Sequence, residues 1–168
     1  MFGGMPIITK EVNIAADFSG LKRNSFDECV RFIVKDCQEA IVEPNLPWRN
    51  LVETDRARMT KAVAYAIMSE ATLFNASPLW NPTNDVTKWQ QAAAISKDAL
   101  TQLTANGFQL ANNYQNYFIT TTDLSANPSD KESIFQIKKV GVGQMHYYNG
   151  IPKILANKAG DSTFTRTC

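Results

Sequence analysis

Residues 60–75 read TKAVAYAIMSEATLFN, and this stretch decides the fold. Small or apolar side chains fall on nearly every side of a helix drawn through it, and Glu70 is its one acid. A helix that is apolar all round lies inside a bundle or a solenoid. We therefore predict a central helix from Thr60 to Asn75, stopped by Ser77-Pro78, with other helices packed around it.

Two amphipathic helices are predicted on either side of this segment. Ser25 and Glu28 form a capping box at the start of the first, and apolar residues then recur at helical spacing until the chain nears Pro44. The second covers residues 87–105 and is closed by Asn106-Gly107, a good C-terminal cap. Its expected buried stripe is Trp89, Ala92, Ala93, Ser96, Ala99, Leu100 and Leu103.

The remaining segments are richer in loops. A short helix is expected over residues 112–118, a polar loop over 119–131 and a short strand over 133–137, where apolar and polar residues alternate. After residue 140 the pattern is lost. The predicted fold class is therefore mostly α, with long loops and a minor short strand. The helical core covers about residues 25–118, and a variable, loop-rich tail covers 119–168.

Composition excludes several classes of function. Lys and Arg number 17 and Asp and Glu 16, so the net charge of +1 offers no basic field for nucleic acid. No run of 18 apolar residues is present to span a membrane. One His and three Cys argue against a metal site, and Gly141-Val142-Gly143 lacks the third glycine of a dinucleotide fingerprint. We expect no metal and no cofactor.

Catalytic residues are not expected either. The acids of the first helix lie along a solvated face, and Glu70 is expected in an ion pair with Arg56 or Arg58. His146 has no partner Cys, Ser or second His near it in the sequence. Cys29 and Cys37 lie on one helix, roughly 12 Å apart along its axis, so they cannot form a disulfide and are expected to be small buried hydrophobes.

Aromatic residues in the loops are the more useful signal. Sugars stack their C–H faces on aromatic rings, while amides and charged groups bind their hydroxyls. Trp80 is followed by Asn81 and Trp48 by Arg49, so each pair offers both kinds of group. The alternative for each Trp is a loop side chain that packs into the helix layer. The candidate ligand-binding residues are Trp80, Asn81, Trp48, Arg49, Tyr147 and Tyr148.

A series of short motifs follows in order along the chain. They are FGGMPII at residues 2–8, SFDECV at 25–30, FIVKDC at 32–37, Leu46-Pro47, RMTKAVA at 58–64, LFNASPLWN at 73–81, KWQQAA at 88–93, Asn127-Pro128 and ESIF at 132–135. Together they resemble the SusD/RagB family of Bacteroidota outer-membrane nutrient-binding lipoproteins, over about residues 2–137. Ala57 departs from the pattern, because the family often has Gly there, and this departure concerns the local turn.

The resemblance implies a fold and a function. It implies tetratricopeptide-like helix pairs that support a loop-rich ligand face, glycan binding at the cell surface and no catalytic centre. It also implies a SusC-like TonB-dependent outer-membrane transporter as partner, and anchoring through a lipid on an N-terminal Cys that this chain does not show. Family members are several times longer, so residues 1–168 are expected to be part of such a domain. The motifs belong to the helical scaffold and carry over no ligand residue.

Two other functions remain open at this point. A helical protein-interaction module would dock on a transporter without binding sugar. A glycan hydrolase would need two carboxylates facing each other across a cleft, which the sequence does not indicate.

Overall fold

The computed structural model describes residues 3–11, 13, 15, 17–50, 57–113 and 130–135. It contains three α-helices, α1 at Phe26–Val42, α2 at Lys61–Ala76 and α3 at Val86–Ala105. The mostly helical fold class is confirmed, with helix bounds close to those predicted. None of the helices in the described ranges is both long enough and apolar enough to cross a membrane.

Local sequence determines where each helix begins and ends. The Ser25 hydroxyl accepts the Glu28 N–H at 3.2 Å, and the Glu28 carboxylate accepts the Ser25 N–H at 2.8 Å, which confirms the capping box. The bonds that the Ser25 N–H and hydroxyl donate to the Glu28 carboxylate lower the pKa of Glu28. Thr60 caps α2 in the same way, by accepting the Val63 N–H at 3.3 Å. Gly107 follows the end of α3 at φ +83°, as the predicted cap requires.

Helix α2 packs against both other helices. The buried core is formed by Val30 and Val34 of α1, Tyr65 and Met68 of α2, and Ala99 of α3. Asp27 near the start of α1 meets Asn75 near the end of α2, and Lys88 near the start of α3 reaches the same Asn75. Consecutive helices are therefore antiparallel, as in tetratricopeptide-like pairs.

The outer faces of α2 and α3 differ from the prediction. Helix α2 exposes Ile67, Leu73 and Phe74 at 37%, 53% and 40%, and Glu70 is exposed as well. Of the two arginines expected to pair with Glu70, Arg56 lies outside the described residues. On α3, Ala92 and Ala99 are buried as expected, but Trp89, Ala93 and Leu100 are exposed. The reason is that α3 packs mainly on α2, so a narrow face that includes Ile95 is enough to cover that contact.

The N-terminal segment is held against α1 by backbone and side-chain bonds. The Met5 N–H donates to the Cys29 thiol at 3.3 Å, and that thiol donates to the Met5 carbonyl at 3.4 Å. The Ile7 N–H donates to the Asn24 side chain at 3.0 Å. Cys29 and Cys37 are both half-buried free thiols rather than fully buried ones, and burial raises the pKa of Cys37.

The chain divides into two compact units. Met1–Arg49 with Met59–Gly107 form the unit that contains the three helices, and Asn50–Arg58 with Phe108–Cys168 form the other. In the second unit the Gln109 N–H donates to the Lys131 carbonyl at 3.1 Å, and the Ala111 N–H donates to the Glu132 carboxylate at 2.8 Å.

Three local expectations concern this second unit. Residues 133–135 of the predicted strand are not in a strand, because their local bonds form a turn around Asp130, whose carboxylate accepts the Glu132 and Ser133 N–H groups. The rest of that strand, and the predicted short helix from residue 114 onward, lie outside the described residues. At Ala57 the backbone adopts φ +68°, a conformation that favours glycine, the residue that the resembled family often has there.

Candidate functional site

The loop between α2 and α3, residues 77–85, carries the candidate Trp80 and Asn81. Pro78 and Pro82 prevent it from continuing either helix. The Ser77 carbonyl accepts the Trp80 and Asn81 N–H groups at 3.0 and 2.9 Å, so the loop folds back on the end of α2. It is therefore a short, internally bonded loop whose side chains have defined positions.

Asn81 is the residue that closes this loop. Its side chain is buried, with only 4% of the residue exposed, and its amide group donates to the Asp85 carbonyl at 3.0 Å and the Ala76 carbonyl at 3.3 Å. Its side-chain oxygen accepts the Asp85 N–H at 2.7 Å. Both ends of the Asn81 amide are thus engaged in joining the end of α2 to the start of α3.

Trp80 lies half-buried against the first turn of α1. Its ring stacks on Phe26, with centroids 4.1 Å apart and planes inclined by 18°. Gly3 approaches the ring edge so closely that a Cβ there would lie 3.3 Å from it. One face of Trp80 is therefore occupied by the protein, and the remaining exposed surface is what a ligand would contact.

Trp89 is an exposed aromatic residue beside the same loop, and the sequence argument placed it in a buried stripe. It is 38% exposed, and its ring N–H donates to the Asn84 side chain at 3.2 Å. Trp89 lies in the first turns of α3, and helical side chains lean toward the N-terminus of their helix. That directionality is the signal that could have predicted its contact with the loop.

The polar groups around these rings are acceptors and donors suited to hydroxyls. Asp85 caps α3 by accepting the Thr87 N–H at 2.9 Å and the Thr87 hydroxyl at 2.7 Å. The bonds from Thr87 lower the pKa of Asp85, so this exposed carboxylate is ionised at neutral pH. Asn84, also exposed, holds a backbone φ of +52° that turns the chain toward α3.

Trp48 lies at the other end of the helical unit. Its ring stacks on Tyr65 with centroids 5.7 Å apart and planes inclined by 7°, and it packs on the core. Tyr65 and Asn75 are separated by roughly 15 Å along α2, so the structure does not bring Trp48 and Trp80 into one site. Tyr65 also lines a cleft of about 380 Å³ bordered by α1 and α3.

The other candidates are not assembled with Trp80 by the described structure. Arg49 is half-buried next to Trp48 in the chain, and Tyr147 and Tyr148 lie outside the described residues. In the part of the chain that the structure describes, no three His, Cys, Asp or Glu side chains are grouped to hold a metal ion. The binding roles of all six candidates therefore stay predictions, and the α2–α3 loop with Trp80 and Trp89 is the best-formed candidate site.

Comparison with known proteins relates the chain to one fold. No protein-family model and no curated protein matches it. Among solved structures, the chain matches a SusD-like protein from Bacteroides fragilis with a TM-score of 0.54 and 21% sequence identity. The match covers 82% of this chain and 23% of that protein. The chain therefore has the helical fold of part of a SusD-like protein, and it spans about a quarter of that neighbour's length.

Proposed function

We propose that this chain is part of a non-catalytic glycan-binding component of an outer-membrane uptake system. The observation that carries the proposal is the SusD-like fold, which agrees with the family that the sequence motifs resemble. On the same basis, residues 1–168 belong to one SusD-like domain with a helical core at about residues 25–118. The whole protein is proposed to lie at the cell surface, lipid-anchored, with a SusC-like TonB-dependent transporter as partner.

The α2–α3 loop is the proposed sugar contact in this chain. Trp89 and the exposed part of Trp80 offer apolar ring surface, and Asn84 and Asp85 offer hydrogen-bonding groups next to it. A pyranose presents the matching combination of C–H faces and hydroxyl groups. The Trp89 ring is oriented by its bond to Asn84, which reduces the entropy lost when a ligand binds.

The test is the affinity of the chain for a panel of soluble α-glucans, β-glucans and mannans, measured by calorimetry. Replacing Trp89→Ala removes a stacking surface worth about 0.5–1.5 kcal/mol, so we expect the dissociation constant to rise roughly two- to twelvefold. Trp80→Ala is expected to act in the same direction. Trp89→Phe keeps a ring and should retain most of the affinity.

A matched control and a contrary outcome define the test. Leu100→Ala removes another exposed apolar side chain of α3, 67% exposed, and should leave affinity unchanged. Equal affinity in the parent and in the Trp80 and Trp89 variants, for every glycan that binds, would contradict the loop site. Trp48→Ala and Arg49→Ala measured beside them test the other predicted pair.

A protein-interaction module without sugar binding is the second candidate. The observation that favours it is the exposure of Ile67, Leu73 and Phe74 on α2, which leaves apolar surface on a helix otherwise packed in the core. Co-purification with a TonB-dependent transporter, abolished by Leu73→Asp and accompanied by no measurable glycan affinity, would support this function over the first.

A further inference from the structure

We propose that Lys88 is a positioning residue for Trp80, holding the Trp80 backbone to α1 and α2 through Asp27 and Asn75. The consequence for ligand binding rests on the proposed function of the loop. The consequence for the position of Trp80 does not, and it can be measured without a ligand.

Lys88 has three hydrogen-bond acceptors within reach. Its ammonium nitrogen lies 3.3 Å from the Trp80 carbonyl, 3.3 Å from the Asn75 side-chain oxygen and 3.3 Å from a carboxylate oxygen of Asp27. An ammonium group carries three donors, so the set is fully used. One side chain of α3 thereby joins the loop, the last turn of α2 and the first turn of α1.

Asp27 is the acceptor at the centre of this cluster. One of its oxygens accepts the Asn75 amide at 2.9 Å as well as Lys88, and the other lies 2.8 Å from Arg31. The Lys88 side chain is only 22% exposed, so solvent screens this pair less than an ordinary surface pair. The Asn75 bond foremost, with Lys88 and Arg31, outweighs burial and lowers the pKa of Asp27.

The two ends of Trp80 are tied to neighbouring residues of α1. Its ring stacks on Phe26, and its carbonyl is held by Lys88, which also binds Asp27, the next residue along α1. Without the Lys88 bond, Trp80 keeps its ring stack on Phe26 and its N–H bond to the Ser77 carbonyl, but its own carbonyl loses its link to α1 and α2. If Lys88 only stabilised the fold, its loss would lower the melting temperature. The environment of the Trp80 ring in the folded protein would then stay unchanged.

The ligand-free test uses Trp80 as the single fluorescent Trp in a Trp48→Phe, Trp89→Phe background. In this background Lys88→Met should make Trp80 more accessible to quenching by acrylamide. The measurement is made at a temperature where circular dichroism shows that the variant has the same helix content as the parent. Lys97→Met is the matched control, because Lys97 is an exposed lysine of the same helix, and it should leave quenching at the parent value. Unchanged quenching in Lys88→Met would overturn the proposal.

A pH series separates positioning from general stability. The charged groups that face Asp27 are Arg31 on α1, Lys88 on α3 and Asp85 at the start of α3, while α2 offers the uncharged Asn75. Quenching of Trp80 in the parent should increase as pH falls through the lowered pKa of Asp27, before the helix signal is lost. Asp27→Asn should show no such step. The same step in both proteins would overturn the role of Asp27.

The ligand-dependent arm uses the chain with all three Trp residues and whichever glucan or mannan the parent binds. Lys88→Met should weaken binding about tenfold, as expected for losing a charge-assisted bond that fixes the site. Lys97→Met should have no effect. If the parent binds no glycan, the proposed function fails, and the quenching measurements alone still decide whether Lys88 positions Trp80.

Discussion

At the scale of single residues, Asn81 shows how one side chain can hold a loop. It has three side-chain hydrogen bonds to the backbone of Ala76 and Asp85, and it is almost completely buried. A buried amide of this kind stabilises a loop because it takes the place of water as the hydrogen-bond partner of backbone groups that have no partner within a helix. Its position directly after Trp80 means that the loop supporting the candidate ring depends on it.

Asn81→Ala is therefore expected to lower the free energy of unfolding by about 1–3 kcal/mol, since the Asp85 N–H and the Ala76 carbonyl lose their partner. Urea denaturation followed by circular dichroism measures this. Asn45→Ala, at an exposed position with local bonds only, should change stability by less than about 0.5 kcal/mol. Equal small effects in both variants would contradict the account of the loop.

At the scale of elements, two turns show a positive backbone φ. One has the glycine that this conformation favours, and the other has alanine. Gly107 provides the positive φ that closes α3, where the sequence predicted a cap. Ala57 adopts φ +68° without the advantage of glycine. A left-handed conformation costs a residue with a Cβ roughly 1–2 kcal/mol, so this turn is held by its surroundings against its own preference.

Glycine at position 57 and alanine at position 107 should thus have opposite effects on stability. Ala57→Gly is expected to stabilise the chain by about 0.5–1 kcal/mol, because the relieved strain exceeds the entropy that glycine adds to the unfolded state. Gly107→Ala should destabilise it by about 1–2 kcal/mol. Gly20→Ala is the control, since its φ is not positive and a Cβ there meets no atom within 4 Å. Thermal melts of the three variants provide the measurement.

At the scale of the whole molecule, the helical unit is held by a small core and by polar contacts at the helix ends. Few large side chains are buried in the core, and Tyr65 and Met68 are the largest of its central cluster. The Asp27, Asn75 and Lys88 contacts join all three helices at one end, and the Trp48–Tyr65 stack lies toward the other. Stability should therefore depend visibly on the charge state of a few groups.

Unfolding free energy is expected to fall on both sides of neutral pH. The folded-state pKa of Asp27 is lowered, so its contribution is present above the unfolded pKa and is lost as pH falls through the folded one. Burial raises the pKa of Cys37 and Tyr65, so stability declines as pH rises from their unfolded toward their folded values.

Urea midpoints between acid and alkaline pH measure this profile. Asp27→Asn should flatten the acid side, while Glu39→Gln, at an exposed α1 carboxylate, should leave it as in the parent. An acid side equally steep in the parent and in Asp27→Asn would contradict the assignment.

The sequence by itself determined the parts of this protein that depend on neighbouring residues. The Ser25–Glu28 box, the Ser77-Pro78 stop and the Asn106-Gly107 cap act within a few residues, and helical periodicity located all three helices. Because the buried face of α1 follows its own periodicity, Val30 and Val34 could also be predicted as core.

Only the tertiary structure decided which side chains meet at the candidate site. Asp27 and Asn75 lie 48 positions apart in the chain, and no local pattern indicates that Lys88 joins them beneath Trp80. Trp89 matched an apolar stripe but is exposed, because the number of neighbours packed on a helix sets how much of its apolar face is buried. Contacts between distant residues depend on how the helices are arranged, and that arrangement minimises the free energy of the whole chain rather than of any one segment.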